Sequence, residues 1–336
     1  MRIGIDLMGS ENSPLALFEA VLKAAQSLSG VTFLVLALPR DIEVIQSQPR
    51  VIDLVQDHSS HFEFHPVNQV VEMEDDPLTS VREKKGSSLV VGLMLLKKHA
   101  IDGFVTTGNT GALIAGASLL LPSLGMIKRP ALLANLPTKK GEVSILDVGG
   151  SVKVRSSHLI QFAQMGAAYQ QCRFGVQCPR VGLLNVGVES KKGTTEIRKA
   201  YDQLAGDPSN KLWMQFVGNI EGRELFQGLV DVLITDGFAG NVLLKTAEGV
   251  SSFILEQLQD LLQPLSIEQK TLVFESLRTQ FDYEEYMGAI VCGVDGVVVK
   301  CHGSSSAKGM FNAIKGAVEL VRNQFIDKIK SQLGCN

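Results

Sequence analysis

The chain is short of cysteine. Its 336 residues hold five, at Cys172, Cys178, Cys292, Cys301 and Cys335, an odd number with no CxxC pair. That distribution suits neither a disulfide scaffold nor a cysteine zinc site, and a reducing cytoplasm is the simplest setting. Basic charge is not in excess. The net charge is −3 and no basic stripe stands out, so nucleic acid is not an expected partner. No tract is rich in proline, glycine or serine as a linker would be, and none is of low complexity. The opening "MRIGIDLMG" is interrupted by Asp6, which does not suit a signal peptide. Residues 106–127 carry no charge and approach the ~20 residues of a membrane span. They are nevertheless full of Thr, Gly, Asn and Ser, with Pro122 among them, so a buried helix after a ligand loop is expected. A P-loop is missing, as is a convincing GxGxxG after the first apolar run. This argues against a Walker-type NTPase and leaves a conventional dinucleotide site without support.

What is present is apolar and periodic. Hydrophobic residues make up 45% of the chain and charged residues 20%, which predicts a sizeable core. Short runs rich in Val, Ile and Leu recur at 2–6, 32–37, 62–66, 103–106, 131–136, 143–147, 180–185, 214–218, 232–235 and 296–300. Many are near-continuous, as in strands buried on both faces. Helical patterns fall between them, at 14–26, 87–99, 111–120, 157–170, 194–203, 222–229, 242–262 and 306–329. Strands alternating with helices predict an α/β fold with a mostly parallel sheet. One domain over 1–330, with or without a smaller lobe, and a tail at 331–336 follow. Residues 242–281 read as two amphipathic helices around Pro264, with Phe253, Ile254, Leu258, Leu261 and Leu262 on one side. That is a helical hairpin packed on the core or a dimer mate, or one whose tip touches a membrane surface.

Ligands of open parallel sheets bind beyond the carboxyl ends of the strands. In this chain those positions hold Asp6, Gly9 and Ser10; Thr106, Thr107, Gly108, Asn109 and Thr110; Asp147, Gly149, Gly150 and Ser151; Asn185 and Gly187; Gly218 and Asn219; and Asp236, Gly237, Gly240 and Asn241. Glycine lets backbone approach a ligand, and a helix starting after such a turn points free N–H groups at an anion. Asn and Thr add neutral donors, a combination suited to phosphate or to the oxyanion of acyl transfer. Any one corner taken alone is better explained as an ordinary turn or helix cap, and it is their number at strand ends that points to a site. Near the end of the chain, His302 beside Ser304, Ser305 and Ser306 reads as a phosphate cradle, an acid/base group, or a cap with a packed histidine. Cys301 next to His302 suggests a thiolate pair, but adjacent strand residues face opposite sides. Lys191 and Lys192 precede one helix, and Arg82, Lys84 and Lys85 precede another, as solvated charge or as contacts to phosphate and an acidic carrier.

Taken together, "IDLMGSENSP" (5–14), "VREKKGSS" (81–88), "TTGNTGALIAG" (106–116), "RPALLANLP" (129–137), "LDVGGS" (146–151), "VGLLNVGVESKKGT" (181–194), "VGNIEGREL" (217–225), "DVLITDGFAGNVLLKTAEG" (231–249) and "CHGSSSAKGMFNAI" (301–314) resemble the bacterial phosphate acyltransferase family of phospholipid synthesis over nearly the whole chain. Departures from the family pattern fall at Leu7, Ser10, Glu11, Ser151, Met287 and Ser306.

The resemblance implies a Rossmann-like three-layer α/β/α fold of the isopropylmalate dehydrogenase type, acting as a homodimer. It implies transfer of a fatty acyl group from acyl-[acyl carrier protein] to inorganic phosphate with no cofactor and no metal. The acyl phosphate then passes to a membrane glycerol-3-phosphate acyltransferase. A cytoplasmic enzyme in peripheral contact with the membrane is expected. On this reading Asn109 and Asn241, with the backbone at Gly108 and Gly240, contact phosphate and the oxyanion. His302 protonates the leaving thiolate or binds phosphate, Lys192 balances charge and Asp236 orients a partner. Thr110, Asn219, Ser304 and Ser305 complete substrate binding, and the helix 112–121 walls the acyl groove. Arg82, Lys84 and Lys85 dock the carrier. Two alternatives remain: a metal- and NAD-dependent dehydrogenase, whose paired aspartate ligands are not evident, and a non-catalytic scaffold for acyl carrier protein.

Overall fold

The computed structural model describes residues 1–56, 61–125, 127–207, 213–261 and 287–332. In chain order the elements are β1 (Arg2–Asp6), α1 (Pro14–Ser27), β2 (Thr32–Ala37), α2 (Pro39–Gln46), α3 (Pro49–Gln56), β3 (Phe62–Pro66), α4 (Pro77–Glu83), α5 (Ser88–Lys97), β4 (Gly103–Thr106) and α6 (Thr110–Leu120). Next come β5 (Ala131–Thr138), β6 (Gly141–Leu146), α7 (Ser156–Phe174), β7 (Arg180–Leu184), α8 (Thr195–Gly206) and β8 (Gln215–Ile220). A 3₁₀ helix (Gly222–Gln227) precedes β9 (Val232–Ile234) and α9 (Gly237–Leu261). The chain ends with β10 (Ala289–Cys292), β11 (Val297–Lys300), α10 (Ala307–Arg322) and α11 (Phe325–Gln332).

These elements form two compact units, residues 1–130 with 287–336, and residues 131–286. In the first unit the strands run in the order β3-β2-β1-β4-β11-β10. The first five are parallel, and β10 is antiparallel to β11. Their apolar runs are buried: Ile3, Ile5, Phe33, Val35, Phe104, Val105 and Val298 are all solvent-inaccessible. The register sets Asp6 opposite Thr106 and Thr106 opposite Lys300. A row of three polar residues therefore crosses the carboxyl ends of β1, β4 and β11.

In the second unit the order is β5-β6-β9-β7-β8. Here β6, β9, β7 and β8 are parallel, and β5 is antiparallel to β6. A buried polar chain supports this sheet. Gln170 donates to the Ser144 hydroxyl, Ser144 donates to Asn135, and Asn135 donates to the Tyr169 hydroxyl, at 2.9, 2.8 and 2.8 Å. Arg180 grips the Asp231 carboxylate with two nitrogens, at 2.7 and 3.1 Å, and ties the start of β7 to the chain entering β9.

The helices start where local chemistry says they should. Ser13, Asp76, Ser87, Asn109, Thr194 and Ser306 each accept a first-turn N–H into the side chain. The α/β class with mostly parallel strands is as expected from the sequence. The patterns above do not anticipate α2, α3, α4 or β10. Elements this short hold too few residues to show a period, and all three of these helices open on a proline that reads as a turn. The uncharged stretch near 110 is an eleven-residue helix, α6. Among the described residues no helix is long and apolar enough to cross a membrane. Of the hairpin expected over 242–281, the first part lies in α9, which begins earlier, at Gly237, and exposes Phe253 and Ile254. Residues 262–281 lie outside the described residues.

Candidate active site

In the first unit, the row Asp6, Thr106 and Lys300 is buried throughout. The Thr106 hydroxyl donates to Asp6 Oδ2 at 2.8 Å and accepts the Gly108 N–H at 3.0 Å. Asp6 Oδ1 accepts the Met8 N–H at 2.9 Å. Burial pushes the Asp6 carboxyl up to about 6, against the opposing pull of the Met8 N–H, the Ser88 and Thr106 hydroxyls and the Lys300 charge. Lys300 Nζ donates to the Thr107 carbonyl at 3.0 Å and to the Cys301 carbonyl. One buried ammonium thus holds the backbone of two corners, the one after β4 and the one after β11.

A second set of bonds joins the loop after β1 to the loop after β11. Ser10 Oγ donates to the Gly303 carbonyl at 2.8 Å, and the Glu11 N–H donates to the same oxygen at 3.1 Å. The Asn12 amide donates to the carbonyls of Ser304 and Ser305, at 3.2 and 2.9 Å. Gly9 makes this turn at φ +68°, and a Cβ there would lie 2.8 Å from the Val71 carbonyl oxygen, so a side chain is excluded on both counts.

Asn109 caps α6. Its Oδ1 accepts the Ala112 N–H at 3.0 Å, while its Nδ2 reaches the carbonyls of Glu72 and Met73 at 3.2 and 2.9 Å. The side-chain amide therefore positions the 72–75 segment against the corner. The backbone N–H groups of Thr110 and Gly111 are those that helix geometry leaves without intrahelical acceptors, at the positive end of α6. The Thr107 hydroxyl is buried and has no hydrogen-bond partner among the described residues. His302 is exposed, with Nδ1 at 2.7 Å from Ser304 Oγ and accepting the Ser304 N–H at 3.3 Å. Because a backbone N–H only donates, this network assigns the proton of the neutral ring to Nε2. Ser305 is buried, and Ser306 caps α10. Cys301 packs in the core 3.5 Å from Met310 Sδ, and burial pushes its thiol up to about 12, which leaves no thiolate for His302. Of the basic residues in the carrier-docking expectation, Lys84 pairs with Asp75 and donates to the Val70 carbonyl, whereas Arg82 and Lys85 are exposed.

The second unit has its own corner at the ends of β6 and β9. Asp147 is buried, and its Oδ1 accepts the N–H groups of Leu132, Gly149 and Gly150 at 3.0, 3.1 and 2.8 Å. Burial raises its carboxyl above the ordinary value despite those donors. Its Oδ2 and the Ser151 hydroxyl are buried without a hydrogen-bond partner of standard geometry among the described residues. Asp236 caps α9, with Oδ1 accepting the Ala239 N–H at 2.8 Å. Gly240 presses on the backbone of the other loop: a Cβ there would lie 1.9 Å from the Asp147 carbonyl oxygen. Asn241, exposed one residue later, points its amide toward Gly149. Beyond β7 and β8, Asn185 donates to the Lys192 carbonyl at 3.1 Å and Asn219 to the Glu189 carbonyl at 2.9 Å. These two asparagines pin the loop that presents Lys192 to solvent.

The structure therefore gathers Gly108, Asn109, Thr110, His302, Ser304 and Ser305 at one corner of the first unit. It gathers Asp236, Gly240 and Asn241 at one corner of the second, while Asn219 in β8 holds the loop that carries Lys192. Sequence reasoning missed Lys300 and Asn12. For Lys300 the signal was a lone lysine closing the apolar run "GVVVK", an unusual residue to bury at a strand end. Among the described residues no three His, Cys, Asp or Glu side chains converge as metal ligands would.

Comparison with known proteins agrees with the fold and adds a family. The chain is 39% identical to a phosphate acyltransferase of Chlamydia caviae over 336 residues, 99% of each protein. It is 36% identical to one of Thermoanaerobacter pseudethanolicus, covering 99% of this chain and 97% of that protein. Among solved structures, a phosphotransacetylase from Streptococcus pyogenes aligns at a TM-score of 0.61 with 14% identity, over 97% of this chain and 94% of the other. The EutD phosphotransacetylase from Staphylococcus aureus aligns at 0.57, again with 14% identity, over 96% and 94%. At such identities these structures speak for the fold alone. The sequence profile described as "Fatty acid synthesis protein" matches residues 1–328. With that match and full-length relatives at this identity, the chain belongs to the fatty acid synthesis protein family and is an acyltransferase of its phosphate acyltransferase group.

Proposed function

We propose that the enzyme transfers a fatty acyl group from acyl-[acyl carrier protein] to inorganic phosphate, releasing acyl phosphate and the free carrier thiol. The observation that supports this most is the end-to-end similarity to proteins named phosphate acyltransferase. A phosphate oxygen attacks the thioester carbonyl carbon, the carbonyl π electrons move to oxygen, and the C–S bond then breaks as they return. Phosphate is itself the nucleophile, so what the protein supplies is orientation and charge stabilisation.

The corner of the first unit suits a phosphate dianion. The first-turn N–H groups of α6, the Thr110 hydroxyl and the Nε2–H of His302, a ring oriented by the Ser304 hydroxyl, are neutral donors, with the Lys300 ammonium buried behind them. Asn109 acts by holding that corner in shape, and His302 either binds phosphate through its neutral Nε2–H or, when protonated, gives the departing thiolate its proton. In the second unit, the Asn241 amide beside the Gly149 backbone is the donor suited to a developing oxyanion, and the exposed Lys192 ammonium is suited to an anionic group. Arg82 and Lys85 dock an acidic carrier. The acyl phosphate passes to a membrane glycerol-3-phosphate acyltransferase, with the enzyme a homodimer in the cytoplasm in peripheral contact with the membrane.

The test is release of free thiol from palmitoyl-carrier protein with and without phosphate, with acyl phosphate trapped by hydroxylamine. Release that requires phosphate and yields equal acyl phosphate is the expected result. Carrier binding without release would overturn the reading in favour of a scaffold.

A further inference from the structure

The second unit contains a cavity of about 350 Å³ beyond the ends of β7 and β9, within the ~300–1,000 Å³ of small-ligand sites. All of its lining belongs to that unit: residues 152–154 after β6, Leu159 of α7, the end of β7, the start of α8, and Ile234 with Thr235 and Asp236 at the end of β9. Leu159, Leu183 and Ile234 form buried apolar wall, and Val154 and Ile197 add half-buried apolar surface. Val152 also lines the cavity although 68% exposed, an apolar side chain held out at the opening.

The polar lining is specific in kind. Thr194, Glu196, Thr235 and Asp236 face the cavity, and Lys153 is its one lysine. Glu196 accepts the Ser156 N–H at 2.7 Å and pairs with Lys199 at 3.3 Å, so this carboxylate is fixed in place. Asp236 is fixed by the Ala239 N–H. With Glu196 paired to Lys199 and Asp236 offsetting Lys153, the lining has no excess positive charge to hold a free phosphate dianion. A bare acyl chain would strip water from two carboxylates and two threonine hydroxyls and offer no polar group in its place, at a cost for each. The wall favours a neutral, amphipathic guest with N–H and O–H donors, amide carbonyls for threonine hydroxyls, and methyl groups for the leucine and isoleucine surface.

We infer that this cavity takes the pantetheine arm of the thioester donor, a deepening of the transacylase reading on which it rests. The arm carries two amide N–H groups and a hydroxyl for Asp236 and Glu196, two carbonyls for Thr194 and Thr235, and a gem-dimethyl group for the apolar wall. The phosphodiester at its far end lies toward Lys153, outside the carboxylate-lined part.

The test uses the full-length enzyme with S-methyl pantetheine, a thioether that has no thioester to transfer. Its binding is read by calorimetry, so the measurement needs no turnover. In kinetics it is expected to compete with palmitoyl-carrier protein and not with phosphate. Ile197→Trp and Val154→Trp fill the cavity from two separate elements. Each is expected to weaken S-methyl pantetheine binding and raise the donor KM about tenfold, the loss of one or two amide hydrogen bonds, with phosphate KM unchanged. Thermal melting identifies any variant that fails to fold, and two independent variants keep the outcome readable. Unchanged S-methyl pantetheine binding in folded variants overturns the proposal. So does a shift in acyl-chain preference with S-methyl pantetheine binding intact, which makes the cavity an acyl pocket. If the wild-type enzyme shows no phosphate-dependent thiol release, the transacylase reading fails, while the calorimetry still decides what the cavity holds.

Discussion

Asp6 offers a direct check on the electrostatics of the first-unit corner. Burial lifts its carboxyl from 3.8 to about 6. At ~1.4 kcal/mol per pH unit, keeping it ionised in the folded protein costs about 3 kcal/mol. The folded state holds more protons than the unfolded state between those two values. The stabilising contribution is therefore complete below 3.8, shrinks as pH rises through about 6, and is gone above it. Asp6→Asn removes this titration. It also deprives the Thr106 hydroxyl of its carboxylate acceptor, a pH-independent loss of about 1 kcal/mol.

Relative to wild type, the variant should gain about 2 kcal/mol between about pH 4.5 and about pH 7.5, since part of the change falls below that window. Urea unfolding followed by circular dichroism at both pH values measures the difference, and titrations common to both proteins cancel. Lys300→Met should push the Asp6 carboxyl further up, because the ammonium favours the ionised form. A wild-type minus variant difference that stays flat with pH would refute the burial of a strained carboxylate at this corner.

Four further outcomes follow from named contacts. Gly240→Ala sets a Cβ 1.9 Å from the Asp147 carbonyl oxygen and 2.8 Å from Thr235 Cγ2, so urea unfolding should show a loss of about 2 kcal/mol or more; a neutral result would mean the two loops yield. Iodoacetamide at mildly alkaline pH should modify exposed Cys178 and leave Cys301 intact by peptide mass spectrometry, with early labelling of Cys301 the contrary result. Asn109→Asp keeps the α6 cap but sets a carboxylate oxygen against the Glu72 and Met73 carbonyls, so urea unfolding should show it losing at least the ~1 kcal/mol that Asn109→Ala loses, with turnover falling in both; full stability would mean that the 72–75 segment is not held by this amide. Asn241→Ala should slow turnover by ~10²–10³ with little change in melting temperature, and near-normal turnover would remove it from the oxyanion contacts.

Much of the fold was legible because its signal is local. The runs at 2–6, 32–37 and 103–106 coincide with β1, β2 and β4, since a buried parallel strand is apolar on both faces and polar where it ends, and the run at 62–66 coincides with the half-exposed edge strand β3. The same logic located the corners and the motifs that carry the family. Which of two roles a corner residue plays was not local. Asn109, Asp236 and Ser306 fit equally well as ligand contacts or helix caps until their first-turn partners were in view. Lys300 looked like any lysine closing a strand. Only the parallel register places it level with Thr106 and Asp6, residues separated from it by most of the chain, and only burial there raises the Asp6 carboxyl. The cavity in the second unit is likewise assembled from five short stretches between residues 152 and 236 that only the fold brings together. Sequence by itself determined most of the strands and the family, because hydrophobic period and turn chemistry act over a few residues. Tertiary structure decided which polar groups are buried together, because burial and pairing depend on neighbours that the chain brings from far away.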